Sequence, residues 1–88
     1  MVVTNNPDIK SRTFEFSVKI VELYQYLRNE KKEFTLGNQL LRSGTSIGAN
    51  VEEATAAQSK RDFVAKMSIS LKEARETNYW LRLLKRTR

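Results

Sequence analysis

Apolar residues recur every three or four positions along three successive stretches of the chain, the period of one face of an α-helix. In the first stretch, residues about 11–32, Phe14, Val18 and Val21 make one stripe, and Ile20, Tyr24 and Leu27 a second about 110° away on the helical wheel. Glu15, Lys19, Glu22 and Asn29 take the opposite side. So wide an apolar arc predicts that this helix touches more than one neighbour. A polar run over residues 28–33 then interrupts the pattern. Thr35 follows, placed to cap a second helix by accepting the orphan amides of its first turn.

The second helix is expected over residues about 36–57, with Leu36, Leu40, Gly44, Ile47, Val51 and Ala54 on one face. Gly44 and Gly48 each cost about 1 kcal/mol of helix propensity against Ala, so their presence in mid-helix points to something packed close to the backbone, a kink being the alternative. A polar break at Gln58, Ser59 and Lys60 precedes the third helix, about 60–86, and Ser59 with Asp62 has the spacing of an N-cap and its N3 partner. Phe63, Met67, Leu71, Ala74 and Leu81 make its main core stripe; Ile69, Trp80 and Leu84 make a second stripe on another side. Residues 1–10 lack periodicity and read as a flexible lead-in, and residues 11–88 as one helical domain. The fold class expected is all-α, an antiparallel up-and-down bundle of three helices.

The opposite face of the second helix changes this picture. Gln39, Arg42, Ser43, Ser46, Asn50 and Glu53 line it at spacings of three and four, and residues 43–51 (SGTSIGANV) contain no charge in a chain that is 30% charged. Solvated helix faces usually carry Lys and Glu. A polar face without them predicts a covered, hydrogen-bonded contact, with a second protomer as the natural partner.

Eighty-eight residues make one small domain with a marginal core, which adds weight to help from a partner. A single Pro7 and three glycines supply few turns for a many-stranded sheet. With no cysteine there are no disulfides and no thiolate chemistry; with no histidine the commonest metal ligand and neutral-pH proton carrier is missing. The N-terminus shows no basic segment followed by an apolar run, and no stretch approaches the roughly 18 apolar residues of a membrane span, so a cytoplasmic protein with no membrane association is expected. The net charge is +6, but residues 82–88 hold Arg82, Lys85, Arg86 and Arg88 with no acid, which leaves twelve basic and ten acidic groups in the first 81 residues.

The basic excess therefore gathers on the end of the third helix, where Lys72, Arg75, Tyr79, Arg82 and Arg86 repeat at three, four, three and four. Such a ridge can follow phosphates, with Tyr79 stacking on an unpaired base and with binding that weakens steeply in salt. It is also what a solvated face would show, its cations meeting the helix dipole and Lys72 paired with Glu76; spacing alone favours this blander reading, since basic stripes are common on helices. Enzyme chemistry finds no support. Glu52 and Glu53 point about 100° apart and cannot act as an acid and base pair. Glu73 and Glu76 could share a cation, but without histidine no E-x-x-H metal motif exists, and G-x-S-x-G and phosphate-cradling G-x-x-x-x-G-K loops are absent. Trp80, Met67 and the phenylalanines have the spacing of core residues rather than ligand contacts. No cofactor is expected.

The residues quoted also resemble the 23S rRNA intervening-sequence proteins of bacteria, the S23 or four-helix-bundle family. The likeness spans residues 14–84 through LYQYLR, QLLRSGTSIGANVEEA and AQSKRDFVAKMSISLKEARETNYWLRLL, and the second segment is its most specific part. Gln39, Leu40, Arg42, Ser43, Ser46, Ile47, Asn50, Glu53 and Ala54 carry the family motif, most of them on the polar face singled out above. The resemblance implies a four-helix bundle assembled as a homopentamer. One related branch, the accessory variability determinant of diversity-generating retroelements, is a basic pentamer that binds nucleic acid and a reverse transcriptase, which implies RNA or DNA and a reverse transcriptase as partners. The link to inserts in 23S rRNA genes concerns where such genes lie and does not itself imply rRNA binding. The family pattern continues through a turn into a fourth helix, whereas this sequence ends at LKRTR. Either a neighbouring protomer supplies the missing cover, or the sequence is a truncated or frameshifted product. The expected function is a non-enzymatic, oligomeric helical bundle that binds RNA or DNA through the basic ridge; the alternative is a structural or protein-interaction module that binds no nucleic acid.

Overall fold

The computed structural model describes residues 8–87 and contains three helices, with no strand among the described residues. Helix α1 spans Ile9–Asn29, earlier at both ends than its apolar pattern suggests. The reason is Asp8, whose carboxylate accepts the Ser11 N–H at 2.8 Å and so caps the first turn. That hydrogen bond holds the Asp8 carboxyl below its ordinary range. Ile9 and Lys10 are thus helical and not part of a lead-in; residues 1–7 lie outside the described residues. At the other end Lys32 takes a left-handed conformation (φ 54°), which turns the Glu33 N–H back onto the Leu27 carbonyl at 2.8 Å and ends α1.

Helix α2 spans Thr35–Thr55 and α3 spans Lys60–Thr87. Thr35 does not cap α2, because it is already the first helical residue; the Leu36 N–H instead meets a Glu33 carboxylate oxygen at 3.4 Å. The Ser59 cap forms as its spacing predicts, its Oγ accepting the Asp62 N–H at 3.0 Å.

Helix α2 packs on both α1 and α3, which lie on its two flanks with their backbones apart. Its glycines let α1 approach. A Cβ on Gly44 would sit 2.7 Å from Ile20 Cγ2, and one on Gly48 would sit 3.1 Å from the Thr13 carbonyl oxygen. The helix runs unbroken through both positions, so close packing and not a kink accounts for the pair. Ile20, Leu27, Leu40 and Leu84 form the core, with Phe16, Leu23, Leu36, Leu41, Trp80 and Leu81 packed against it; full burial of such a side chain is worth about 1.5–3 kcal/mol.

The α2–α3 seam is polar and tight. Ser43 is fully buried; its Oγ lies 2.9 Å from Thr77 Oγ1, which also lies 2.8 Å from the Glu73 carbonyl oxygen. Ser70 donates to the Ile47 carbonyl at 2.9 Å. The residues of α3 that are buried are therefore Ser70, Thr77 and Leu84. This corrects the core stripe expected for α3: Phe63 and Leu71 are exposed, Met67, Ala74 and Leu81 half-buried, and of the second stripe Ile69 is exposed. Along the seam with α2, α3 presents the hydroxyls of Ser70 and Thr77, and its large apolar share of the core is confined to Leu84, Trp80 and Leu81. Phe14 is 62% exposed and Phe34 also lies on the surface, so neither is a core residue.

Between α1 and α3 lies a groove of about 480 Å³, lined by Arg12, Phe16, Ile47, Ala74, Thr77 and Leu81 among others. Ala74 and Leu81, read from the sequence as core, form part of this open wall.

Candidate nucleic-acid interface

On α3 the side opposite Ser70, Thr77 and Leu84 belongs to Lys72, Arg75, Tyr79, Arg82 and Arg86. All five are exposed, and at 1.5 Å per residue the row from Lys72 to Arg86 is about 21 Å long. The ion pairs of the described residues are Lys10 with Glu52 and Arg42 with Glu73 and Glu76, so none engages a cation of this row. Lys72 is not held by Glu76, whose carboxylate meets Arg42 of α2. The cation that Glu73 and Glu76 share is thus an arginine, with Arg42 Nη1 3.0 Å from Glu73 Oε2. This bridge turns Glu73 and Glu76 toward α2, away from the row of bases.

Tyr79 sits in the middle of the row, half exposed, and its ring is fixed from two directions. It forms a T-shaped pair with the Trp80 ring, centroids 5.2 Å apart and planes at 74°, and the Arg82 guanidinium carbon lies 5.8 Å from its centroid. Arg82 is itself anchored, its Nε donating to Asn78 Oδ1 at 2.9 Å, which leaves the two terminal amino groups for other partners. Asn78 was not singled out from the sequence; its place four residues before Arg82, one helical turn away, is the signal that would have found it.

The polar face of α2 divides. Arg42 and Ser43 engage α3 as described. Ser46 and Asn50, half-buried, bond back along their own helix, Ser46 Oγ to the Arg42 carbonyl at 2.7 Å and Asn50 Nδ2 to the Ser46 carbonyl at 2.8 Å, while Gln39 and Glu53 are exposed. On α1 a separate apolar surface stays open, formed by Phe14, Val18 and Val21 around Ser17 and Glu22. Among the described residues no cluster of acids, histidines or cysteines could hold a metal ion, and no helix is long and apolar enough to cross a membrane.

Comparison with known proteins adds the family. The family described as "23S rRNA-intervening sequence protein" matches residues 5–88. A crystal structure at 1.70 Å of a protein of unknown function from the S23 ribosomal protein family of Bacteroides thetaiotaomicron is 59% identical in sequence and superposes with a TM-score of 0.90. The match covers 91% of this chain and 74% of that one. No curated protein matches. With a match over almost its whole length, the chain belongs to the 23S rRNA-intervening sequence protein family.

Proposed function

We propose that this chain is a non-enzymatic, cytoplasmic, oligomeric helical-bundle protein that binds RNA or DNA through the outer side of α3. One observation carries the reading: Lys72, Arg75, Arg82 and Arg86 stand exposed in a single row, with no carboxylate of the described residues paired to any of them. Four cations in line, none paired with a carboxylate of the described residues, are suited to successive phosphates, and contacts of that kind bind without strong sequence preference. Fluorescence anisotropy with labelled RNA at increasing salt tests this. Replacing Arg75, Arg82 and Arg86 together by Glu is expected to abolish binding with the helical circular-dichroism signal unchanged; absence of binding by the parent at low salt refutes it.

Assembly is the second part of the proposal. Phe14, Val18 and Val21 on α1, and Gln39, Ser46, Asn50 and Glu53 on α2, are the surfaces offered to further copies, and the family resemblance supports a pentamer. Light scattering that finds a stable monomer at high micromolar concentration contradicts it. The exposed apolar side chains also favour the rival reading, a protein-interaction module, for which a reverse transcriptase is the partner suggested by the retroelement branch. Salt-independent capture of such a partner, together with no affinity for nucleic acid, would decide for that reading.

A further inference from the structure

The row of cations on α3 is interrupted at its centre by an aromatic ring, and the ring is held in place. A Tyr serving only to fill surface would be free to rotate. Tyr79 instead packs T-shaped with Trp80 and has the Arg82 guanidinium carbon 5.8 Å from its centroid, and Arg82 is pinned in turn by Asn78 at 2.9 Å. Half of the Tyr79 surface still faces solvent. An aromatic ring that is exposed yet already ordered gives up little rotamer freedom when something stacks on it. Its immediate neighbours along the helix, Arg75 one turn before and Arg82 one turn after, place a positive charge on each side of whatever lies on the ring.

We infer that Tyr79 is a stacking platform for one unpaired base, with Asn78 and Trp80 as its positioning residues, so that the ligand of the α3 row is a single strand and not a duplex. This deepens the nucleic-acid reading above and rests on it. A base can lie flat on an aromatic ring only when its own neighbour has moved away; in a duplex every base face is covered by the next pair. Phosphates alone would be served equally well by either form, so the ring is what discriminates. Arg82 joins the two functions: its Nε is committed to Asn78, and its free terminal amino groups reach the phosphate beside the stacked base.

The test compares a labelled single-stranded oligouridylate with a blunt RNA duplex of equal length, at one low salt concentration, on the full chain and on two variants. The single strand is expected to bind at least tenfold tighter than the duplex. Tyr79→Phe keeps the π-face and is expected to bind within twofold of the parent, whereas Tyr79→Leu, which keeps bulk at an exposed site, is expected to weaken the single strand about tenfold or more and to leave the duplex unchanged. The slope of binding against salt should be the same for Tyr79→Leu as for the parent, because no charge is lost. If both ligands bind alike and Tyr79→Leu changes neither, the stacking inference is wrong and the phosphate-binding reading stands. If neither ligand binds the parent, the two fall together.

Discussion

Gly44→Ala is a change whose sign depends on whether α1 truly lies against the backbone of α2. On helix propensity alone the substitution should stabilise, by about 1 kcal/mol for an interior position. The structure opposes that gain. The new methyl would fall 2.7, 2.8 and 3.0 Å from Cγ2, Cγ1 and Cδ1 of Ile20, all well inside ordinary contact. Ile20 is only 3% exposed and branched at Cβ, so it has little rotamer freedom with which to retreat. Overpacking of this kind costs about 1–3 kcal/mol, which outweighs the propensity term and leaves a net loss of about 1 kcal/mol. For a domain of this size that is a fall in Tm of about 4–8 °C, read from thermal unfolding by circular dichroism. Gly37→Ala is the control. Its Cβ would meet Tyr24 and Leu27 at 3.8 and 3.9 Å, ordinary contact distances, so the same substitution there should raise Tm by a few degrees. A double-mutant cycle sharpens the point: Ile20→Ala alone should cost about 2–5 kcal/mol, and at least 1 kcal/mol less than that in the Gly44→Ala background. If Gly44→Ala raises Tm as much as Gly37→Ala, the close helix contact is refuted.

Three further outcomes follow from the same contacts. Gly48→Ala would press on the Thr13 carbonyl oxygen at 3.1 Å, a backbone atom with no rotamer to change, and should likewise lower Tm in thermal unfolding. Arg42→Ala strands two carboxylates one turn apart, and because the Glu73 side chain is only 13% exposed the loss should reach about 1 kcal/mol, the upper end for a surface pair; urea unfolding should show Arg42→Lys recovering only part, since one ammonium cannot fork to two acids. Asp8→Ala should fray the first turn of α1, seen as faster amide exchange at residues 11 and 12. Because folding lowers the Asp8 carboxyl, its contribution is present at neutral pH and is lost as pH falls through and below the ordinary carboxylate range, where variant and parent should converge.

The three helices, the Ser59 cap and the purpose of Gly44 and Gly48 are legible in the sequence because each leaves a periodic or positional mark that needs no partner to be read. The inner face of α3 is not. Apolar periodicity gives weight to Phe63 and Leu71, yet the contact with α2 runs through Ser70 and Thr77, whose hydroxyls pair with Ile47 and Ser43 across the seam and register as merely polar. The charge-free run of α2 is explained by the same fact in part: Gly44 and Gly48 face α1, and Ser43 faces α3. The outer row of α3 is the best-marked feature for function, because spacing alone places its five members on one side. Its lack of ion pairs is invisible in one dimension; Lys72 and Glu76 have the right separation for a pair, and only the position of Arg42 shows that Glu76 is taken.

The most direct measurement of the proposed function is the affinity of labelled single-stranded RNA for the full chain as a function of salt. With four cations in the row and about 0.7 counterions released per phosphate on a single strand, log K should fall against log salt with a slope of about −2.8. The Arg75, Arg82 and Arg86 to Glu variant should show no measurable binding while remaining helical. Affinity that is absent at low salt, independent of salt, or unchanged in that variant would contradict the assignment of the α3 surface to nucleic acid.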